Sequence, residues 1–159
     1  MSNPAAVKRQ LIGVYDPRWM EPMAETLREL GSEHIWVTYG SDGLDELTTT
    51  GPSQVVEMKN GVISAFEVTP EEYGLTKVSL DQLKGGTPEE NAKALMALLK
   101  GEPGPYRDVA LLNAGAAIMI GDKCKTVKEG IDLAIRSIDD GRALKAFEDL
   151  KRITNEAGA

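Results

Sequence analysis

Two short apolar runs flank one helix-spaced segment near the start of the chain, and that arrangement limits the folds available to it. Gln10-Leu11-Ile12-Gly13-Val14-Tyr15 fits a strand buried on both faces, and His34 to Tyr39 fits a second strand. Between them Asp16-Pro17 opens a helix, with Asp16 as N-cap and Pro17 in the first position. Trp19, Met20, Met23, Ala24, Leu27 and Leu30 then recur at helical spacing, and Gly31 ends the element. Strand, helix and strand joined by short links form a crossover unit whose strands run parallel. In sheets of that kind ligands sit beyond the carboxyl ends of the strands.

The second strand leaves through Thr38-Tyr39-Gly40-Ser41-Asp42-Gly43-Leu44-Asp45-Glu46-Leu47, a glycine-bracketed turn that delivers two adjacent carboxylates. Adjacent acids at such a place are costly to desolvate unless something positive meets them. A divalent metal on a phosphorylated ligand is one partner that would meet Asp45 and Glu46. A solvated acidic turn is the other reading, because Asp and Gly are common in turns. An EF-hand is disfavoured: no glutamate occupies the twelfth loop position counted from Asp42 or from Asp45.

Thr48 to Pro52 reads as a polar turn, followed by β-rich runs Gln54–Met58 and Val62–Val68. Lys59-Asn60-Gly61 between them is a strong hairpin signal, which places an antiparallel excursion at one edge of the sheet. Thr69 to Gly74 reads as a helical turn capped by Thr69 with Glu72 reaching back, and Leu75 to Leu83 as an irregular connection. Helices follow. Thr87 with Glu90 and Thr126 with Glu129 are capping boxes, and Pro105 to Ile120 carries the small residues Ala114, Gly115, Ala116 and Ala117, which permit close packing. Gly141 interrupts, and Leu144, Phe147, Leu150 and Ile153 line a last helix. The expected fold class is α/β: a partial parallel sheet with a β-hairpin at its edge, then a C-terminal group of helices.

At 159 residues, 42% hydrophobic and 27% charged, the chain has the size and balance of one soluble domain. A net charge of −7 offers no basic stripe for nucleic acid or an anionic membrane. No apolar run approaches the ~20 residues that span a bilayer. One cysteine, Cys124, forms no internal disulfide, so a reducing, cytoplasmic setting is the simplest. Its neighbours Lys123 and Lys125 would draw its pKa down modestly, yet nothing near it in sequence suggests a nucleophile. His34, the sole histidine, reads as a satisfied surface residue at a strand entry. Gly85-Gly86-Thr87 lacks the lysine and spacing of a P-loop and reads as a turn into a capped helix. Asp139 and Asp140, at a helix C-terminus that opposes them, read as solvated.

The run Gly-Ser-Asp-Gly-Leu-Asp-Glu resembles the metal loop of the anthranilate phosphoribosyltransferases. Further stretches fit that family in the same order: Asn3-Pro4-Ala5, Gln10 to Tyr15, Leu83-Lys84-Gly85-Gly86, Glu90-Asn91-Ala92, Leu112-Asn113-Ala114 and Lys128-Glu129-Gly130. Nearly the whole chain is covered, and the agreement of several spaced motifs makes the resemblance specific. A nucleoside phosphorylase shares the fold class, but Asp-Gly-Leu-Asp-Glu resembles the anthranilate enzyme more closely. The resemblance implies transfer of phosphoribosyl from phosphoribosyl pyrophosphate to the amine of anthranilate, with release of pyrophosphate, in tryptophan biosynthesis. It also implies Mg2+ held through an Asp-Glu pair, which here matches Asp45 and Glu46.

The family's Gly-Thr-Gly-Gly-Asp loop, Asn-x-Ser-Thr, Lys-His-Gly-Asn and anthranilate-binding arginine have no counterpart in these 159 residues. The match starts at the family's Asn-Pro-Ala, near the middle of a full-length enzyme. The expectation is therefore a single truncated α/β domain over residues 1–159, strand-rich with the metal loop over 1–83 and helical over 84–159. No catalytic side chain is assigned, and the isolated chain is expected to be inactive. It is expected to self-associate or to require a complementary N-terminal half. A non-catalytic magnesium- or phosphate-binding module, or an interaction module, is the alternative.

Overall fold

The computed structural model describes residues 6–156. The motif Asn3-Pro4-Ala5 lies outside them. Strand β1 (Arg9–Gly13), helix α1 (Met20–Glu29) and strand β2 (His34–Gly40) form the expected crossover, and β1 pairs with β2 in parallel, Gly13 opposite Thr38. The helix entry is tighter than a simple N-cap. Asp16 accepts from the Arg18 amide at 3.0 Å, and Pro17–Trp19 make a 3-10 turn before α1 begins. Consequently Trp19 faces outward, 43% exposed, rather than joining the core stripe. Leu30, at the far end, is also exposed; Met20, Ala24 and Leu27 carry the burial.

Strands β3 (Ser53–Lys59) and β4 (Val62–Val68) form the expected hairpin. Asn60 and Gly61 both take positive φ, 51° and 82°, the pair of left-handed residues that a two-residue hairpin turn demands. Sheet order is β1-β2-β3-β4, with β2–β3 and β3–β4 antiparallel, so the sheet is mixed and the hairpin forms one edge. At the opposite edge β1 is half-buried along its length rather than buried on both faces, because among the described residues it has a strand neighbour on one side only.

One face of the sheet, with Ile35, Val37, Val56 and Met58, packs on α1. The other, with Trp36, Val55 and Val68, meets the helices α2 (Pro88–Leu99), α3 (Pro105–Ile120) and α4 (Val127–Asp139). Both predicted capping boxes form, Thr87 with Glu90 and Thr126 with Glu129. Thr69, by contrast, makes no side-chain cap at the 3-10 turn Pro70–Tyr73, which ends in left-handed Gly74. The connection Leu75–Leu83 is mostly irregular but contains a 3-10 turn, Leu80–Gln82, closed by Ser79 and Gln82. Where α3 crosses α4, Gly115 and Gly130 lie backbone against backbone, and a methyl on Gly130 would overlap the Gly115 carbonyl. Of the four small residues, Gly115 makes the close approach and Ala116 is buried, whereas Ala117 is exposed. Helix α5 (Arg142–Glu156) follows left-handed Gly141, with Leu150 and Ile153 exposed.

Candidate functional site

β2 delivers the chain to Gly40, and the loop beyond it is built from short-range hydrogen bonds. The Gly40 amide donates to the Leu44 carbonyl and the Gly43 amide to the Gly40 carbonyl, each at 2.9 Å. Gly43 sits at φ 86°, a conformation that disfavours a side chain. Asp42 closes the loop. Its Oδ1 accepts from the Leu44 amide at 3.1 Å, and its Oδ2 accepts the Thr48 and Thr50 hydroxyls at 2.5 and 2.7 Å. Burial pushes the Asp42 carboxyl up, but those three donors outweigh it and hold the group below its ordinary value. Thr48 and Thr49 are fully buried, so the segment that reads as a polar turn is an internal strut: the Thr48 and Thr50 hydroxyls meet Asp42, while the Thr49 hydroxyl is buried without a hydrogen-bond partner among the described residues.

Asp45 and Glu46 follow, both exposed, beyond the carboxyl ends of the parallel pair β1 and β2. Two contacts from elsewhere in the fold set their backbone. The Asp45 carbonyl lies against Cα of Gly13, occupying the space a Cβ would take. Asn113 of α3 grips the next residue: its Oδ1 accepts the Leu47 amide at 3.1 Å, and its Nδ2 donates to the Leu47 carbonyl at 2.7 Å. Leu47 itself is fully buried.

The loop's electrostatics are one-sided. Among the described residues no ion pair involves Asp42, Asp45 or Glu46, although ten other pairings occur. Glu46 is pushed above its ordinary value, by partial burial first and then by the charges of Asp45 and Asp42. An anionic loop without a cation fits a metal ion. Among the described residues no group of three or more His, Cys, Asp or Glu side chains is arranged to hold a metal. Two carboxylates with substrate oxygens suit Mg2+, which keeps several waters and needs few protein ligands. An open cleft of about 480 Å3 borders Glu46, walled by Leu44, Leu95, Leu98, Tyr106 and Asn113.

The remaining candidates lie elsewhere. His34, at the far end of β2, is 2% exposed rather than on the surface. Its Nε2 lies 2.8 Å from Glu57 Oε1, which also accepts Trp36 Nε1 at 2.9 Å, so a cross-strand carboxylate made burial tolerable. The Cys124 thiol is pushed up, not down, by burial and then by Glu129; the flanking lysines do not govern it. Gly86 and Thr87 donate their amides to Asn91 and Glu90, which confirms the structural reading of that turn. Asp139 is not merely solvated: it pairs with Arg107 of α3 at 2.7 Å, while Asp140 meets Arg142.

Asp42, Thr48, Thr50, Gly13 and Asn113 carry the loop; in the sequence Asp42, Gly13 and Asn113 stand out only as members of family-like stretches, with no role assigned to them. Asn113 left a trace there, since a lone amide in Leu111-Leu112-Asn113-Ala114 interrupts an apolar helix and calls for a partner.

Residues 1–144 match the profile of the family described as "Glycosyl transferase family, a/b domain". The chain belongs to this family. Its resemblance to the anthranilate phosphoribosyltransferases holds along its whole length. It is 55% identical over 155 residues to the enzyme of that name from Parvibaculum lavamentivorans, covering 98% of this chain and 46% of that protein. It is 52% identical over 159 residues to the one from Brucella abortus, covering 100% and 47%. The chain thus spans about half the length of these relatives. Anthranilate phosphoribosyltransferase from Thermus thermophilus superposes with a TM-score of 0.82 at 41% identity, over 92% of this chain and 43% of that one. The Saccharomyces cerevisiae enzyme in complex with PRPP and Mg superposes at 0.79 and 28% identity, over 88% and 41%. The mixed sheet with its helices is therefore the α/β fold of the family.

Proposed function

We propose that this chain supplies the magnesium-holding part of an anthranilate phosphoribosyltransferase, with Asp45 and Glu46 as the ligands. The observation that carries the reading is the exposed carboxylate pair, held at the strand ends and left without a counter-charge among the described residues. In the reaction the bond from ribose C1 to a pyrophosphate oxygen breaks, a C1–N bond to anthranilate forms, and the amine gives up a proton. Bound Mg2+ would supply charge neutralisation for the departing pyrophosphate. Asp45 and Glu46 would hold that ion and orient its open face toward the phosphates. Asp42, tied down by two threonine hydroxyls, serves the loop's shape instead.

The yeast neighbour in complex with PRPP and Mg, and a second structure of that enzyme in complex with 4-fluoroanthranilate, support these substrates for the complete protein. The pocket needs a second wall, supplied by a complementary N-terminal half or a further copy, and the setting is the cytoplasm. No helix among the described residues is long and apolar enough to cross a membrane. The strand-rich part over residues 1–83 and the helical part over 84–159 act as one unit.

The test is calorimetric titration of the 159-residue chain with Mg2+ in the presence of pyrophosphate. Binding that disappears in the Asp45→Asn, Glu46→Gln double variant is expected; binding that survives it overturns the assignment. The chain alone is expected to convert no anthranilate, and adding the complementary half of a relative is expected to restore turnover.

A further inference from the structure

We infer that Asn113 is a positioning residue for the carboxylate pair, acting by clamping both backbone groups of Leu47. The inference rests on the reading of Asp45 and Glu46 as ion ligands. Asn113 lies 66 residues away from the loop in sequence, yet its amide presents an acceptor to the Leu47 amide at 3.1 Å and a donor to the Leu47 carbonyl at 2.7 Å. Nδ2 also donates to the Val109 carbonyl at 2.9 Å, which locks the side chain to its own helix. A planar amide that meets one residue's N–H and C=O together acts as a strand neighbour would. It fixes the distance and the tilt of the peptide plane at once.

The geometry on either side makes this clamp consequential. Upstream, the loop is pinned at Asp42 by Thr48, Thr50 and the Leu44 amide. Downstream, Leu47 is the residue next to Glu46, and its side chain is fully buried. Asp45 and Glu46 are thus suspended between two pins, with the Gly13 backbone against the Asp45 carbonyl and the Gly40 backbone against the Glu46 carbonyl. No main-chain bond to the Leu47 amide or carbonyl occurs among the described residues, so Asn113 alone meets both groups. An asparagine inside an apolar helix is unfavourable locally. Here the loop it holds explains its presence. Partners that orient metal ligands influence affinity nearly as strongly as the ligands do.

The experiment uses the 159-residue chain with Mn2+ and pyrophosphate, read by calorimetry and by the Mn2+ electron paramagnetic resonance signal. Asn113→Leu is expected to weaken Mn2+–pyrophosphate binding by about tenfold to a hundredfold. Asn113→Asp, which keeps the acceptor and loses the donor, is expected to fall between, and it replaces Asn113→Leu should that variant not fold. Leu112→Ala, a core change beside it, is expected to lower Tm and leave the affinity of the folded protein at the wild-type value. Hydrogen exchange gives a reading free of metal: the Leu47 amide is expected to exchange faster in Asn113→Leu, ahead of any general loss of protection. Wild-type affinity in both Asn113 variants, or unchanged exchange at Leu47, overturns the inference while leaving the carboxylate assignment standing. Binding indifferent to the Asp45→Asn, Glu46→Gln double variant, or no binding by the wild type, overturns the assignment itself and the inference with it.

Discussion

Gly13→Ala isolates the contact between the sheet and the candidate site. Gly13 ends β1 opposite Thr38, outside the left-handed region, so alanine meets no backbone strain there. Taken alone, replacing glycine would stabilise the protein by about 0.4–1 kcal/mol through the unfolded chain. The structure reverses the sign. A methyl on Gly13 would fall on the Asp45 carbonyl, and that group would have to retreat by about 2 Å to reach ordinary contact distance. It is not free to do so, because Asp42 pins the loop on one side and Asn113 on the other. Overpacking of this kind costs about 1–3 kcal/mol, and the upper end applies because the obstacle is main chain. The expected net loss is about 2 kcal/mol, or about 4–8 °C in Tm for a chain of this size. Thermal unfolding followed by circular dichroism measures it, beside a Mn2+–pyrophosphate titration. If the loop slides instead, Tm recovers while binding weakens, since the carboxylates have moved with it. A Tm at or above wild type with intact binding refutes the reasoning.

Glu46→Gln tests the electrostatics. Because the folded-state pKa of Glu46 is raised above 4.5, the folded state binds more protons than the unfolded one just above that pH, and stability falls as the carboxyl ionises. The variant is expected to melt higher than wild type at pH 7 and equally at pH 3, and a lower Tm at pH 7 would contradict it. Asp42 has the opposite sign, its folded pKa lying below 3.8, so its contribution is lost on acidification below that value and Asp42→Asn should flatten the acid limb of the melting curve. Gly130→Ala pits a helix-propensity gain of about 1 kcal/mol against a clash with the Gly115 backbone. A lowered Tm is expected, and a raised one would mean that the helices part easily. Gly61→Ala, at φ 82° in the hairpin turn, is expected to cost about 1–2 kcal/mol with no change in Mn2+ binding, measured by the same melts and titration.

What was legible in the sequence is what short range decides. The crossover unit, the Asn60-Gly61 hairpin and both capping boxes depend on residues within a few positions of one another, and all formed. Errors arose where a distant partner changed a residue's circumstances. His34 reads as a surface residue until Glu57, brought alongside β2 by the hairpin, supplies the hydrogen bond that makes burial possible. Thr48 and Thr50 read as part of a polar turn until the loop folds their hydroxyls onto Asp42. Asp139 reads as a solvated acid, and it is half exposed, but Arg107 of α3 also pairs with it. Trp19 fails differently. Its spacing is helical, but a 3-10 turn advances the chain by about 120° per residue instead of 100°, and the ring leaves the buried stripe. Asp45 and Glu46 were conspicuous because two acids in a glycine turn stand out locally. Their supports were not, because Gly13 and Asn113 lie far from them in sequence.

The supports also explain why the site stays open. Every group that holds the loop is neutral or is itself an acid: the hydroxyls of Thr48 and Thr50, the amide of Asn113, the bare backbone of Gly13, and Asp42. A lysine or arginine in any of those places would have opposed the burial and the neighbouring charges that together lift Glu46. Neutral hydrogen bonds fix the backbone without neutralising the charge of Asp45 and Glu46. On the reading proposed for Asp45 and Glu46, a doubly charged guest would relieve both carboxylates at once, which a single positive side chain would not.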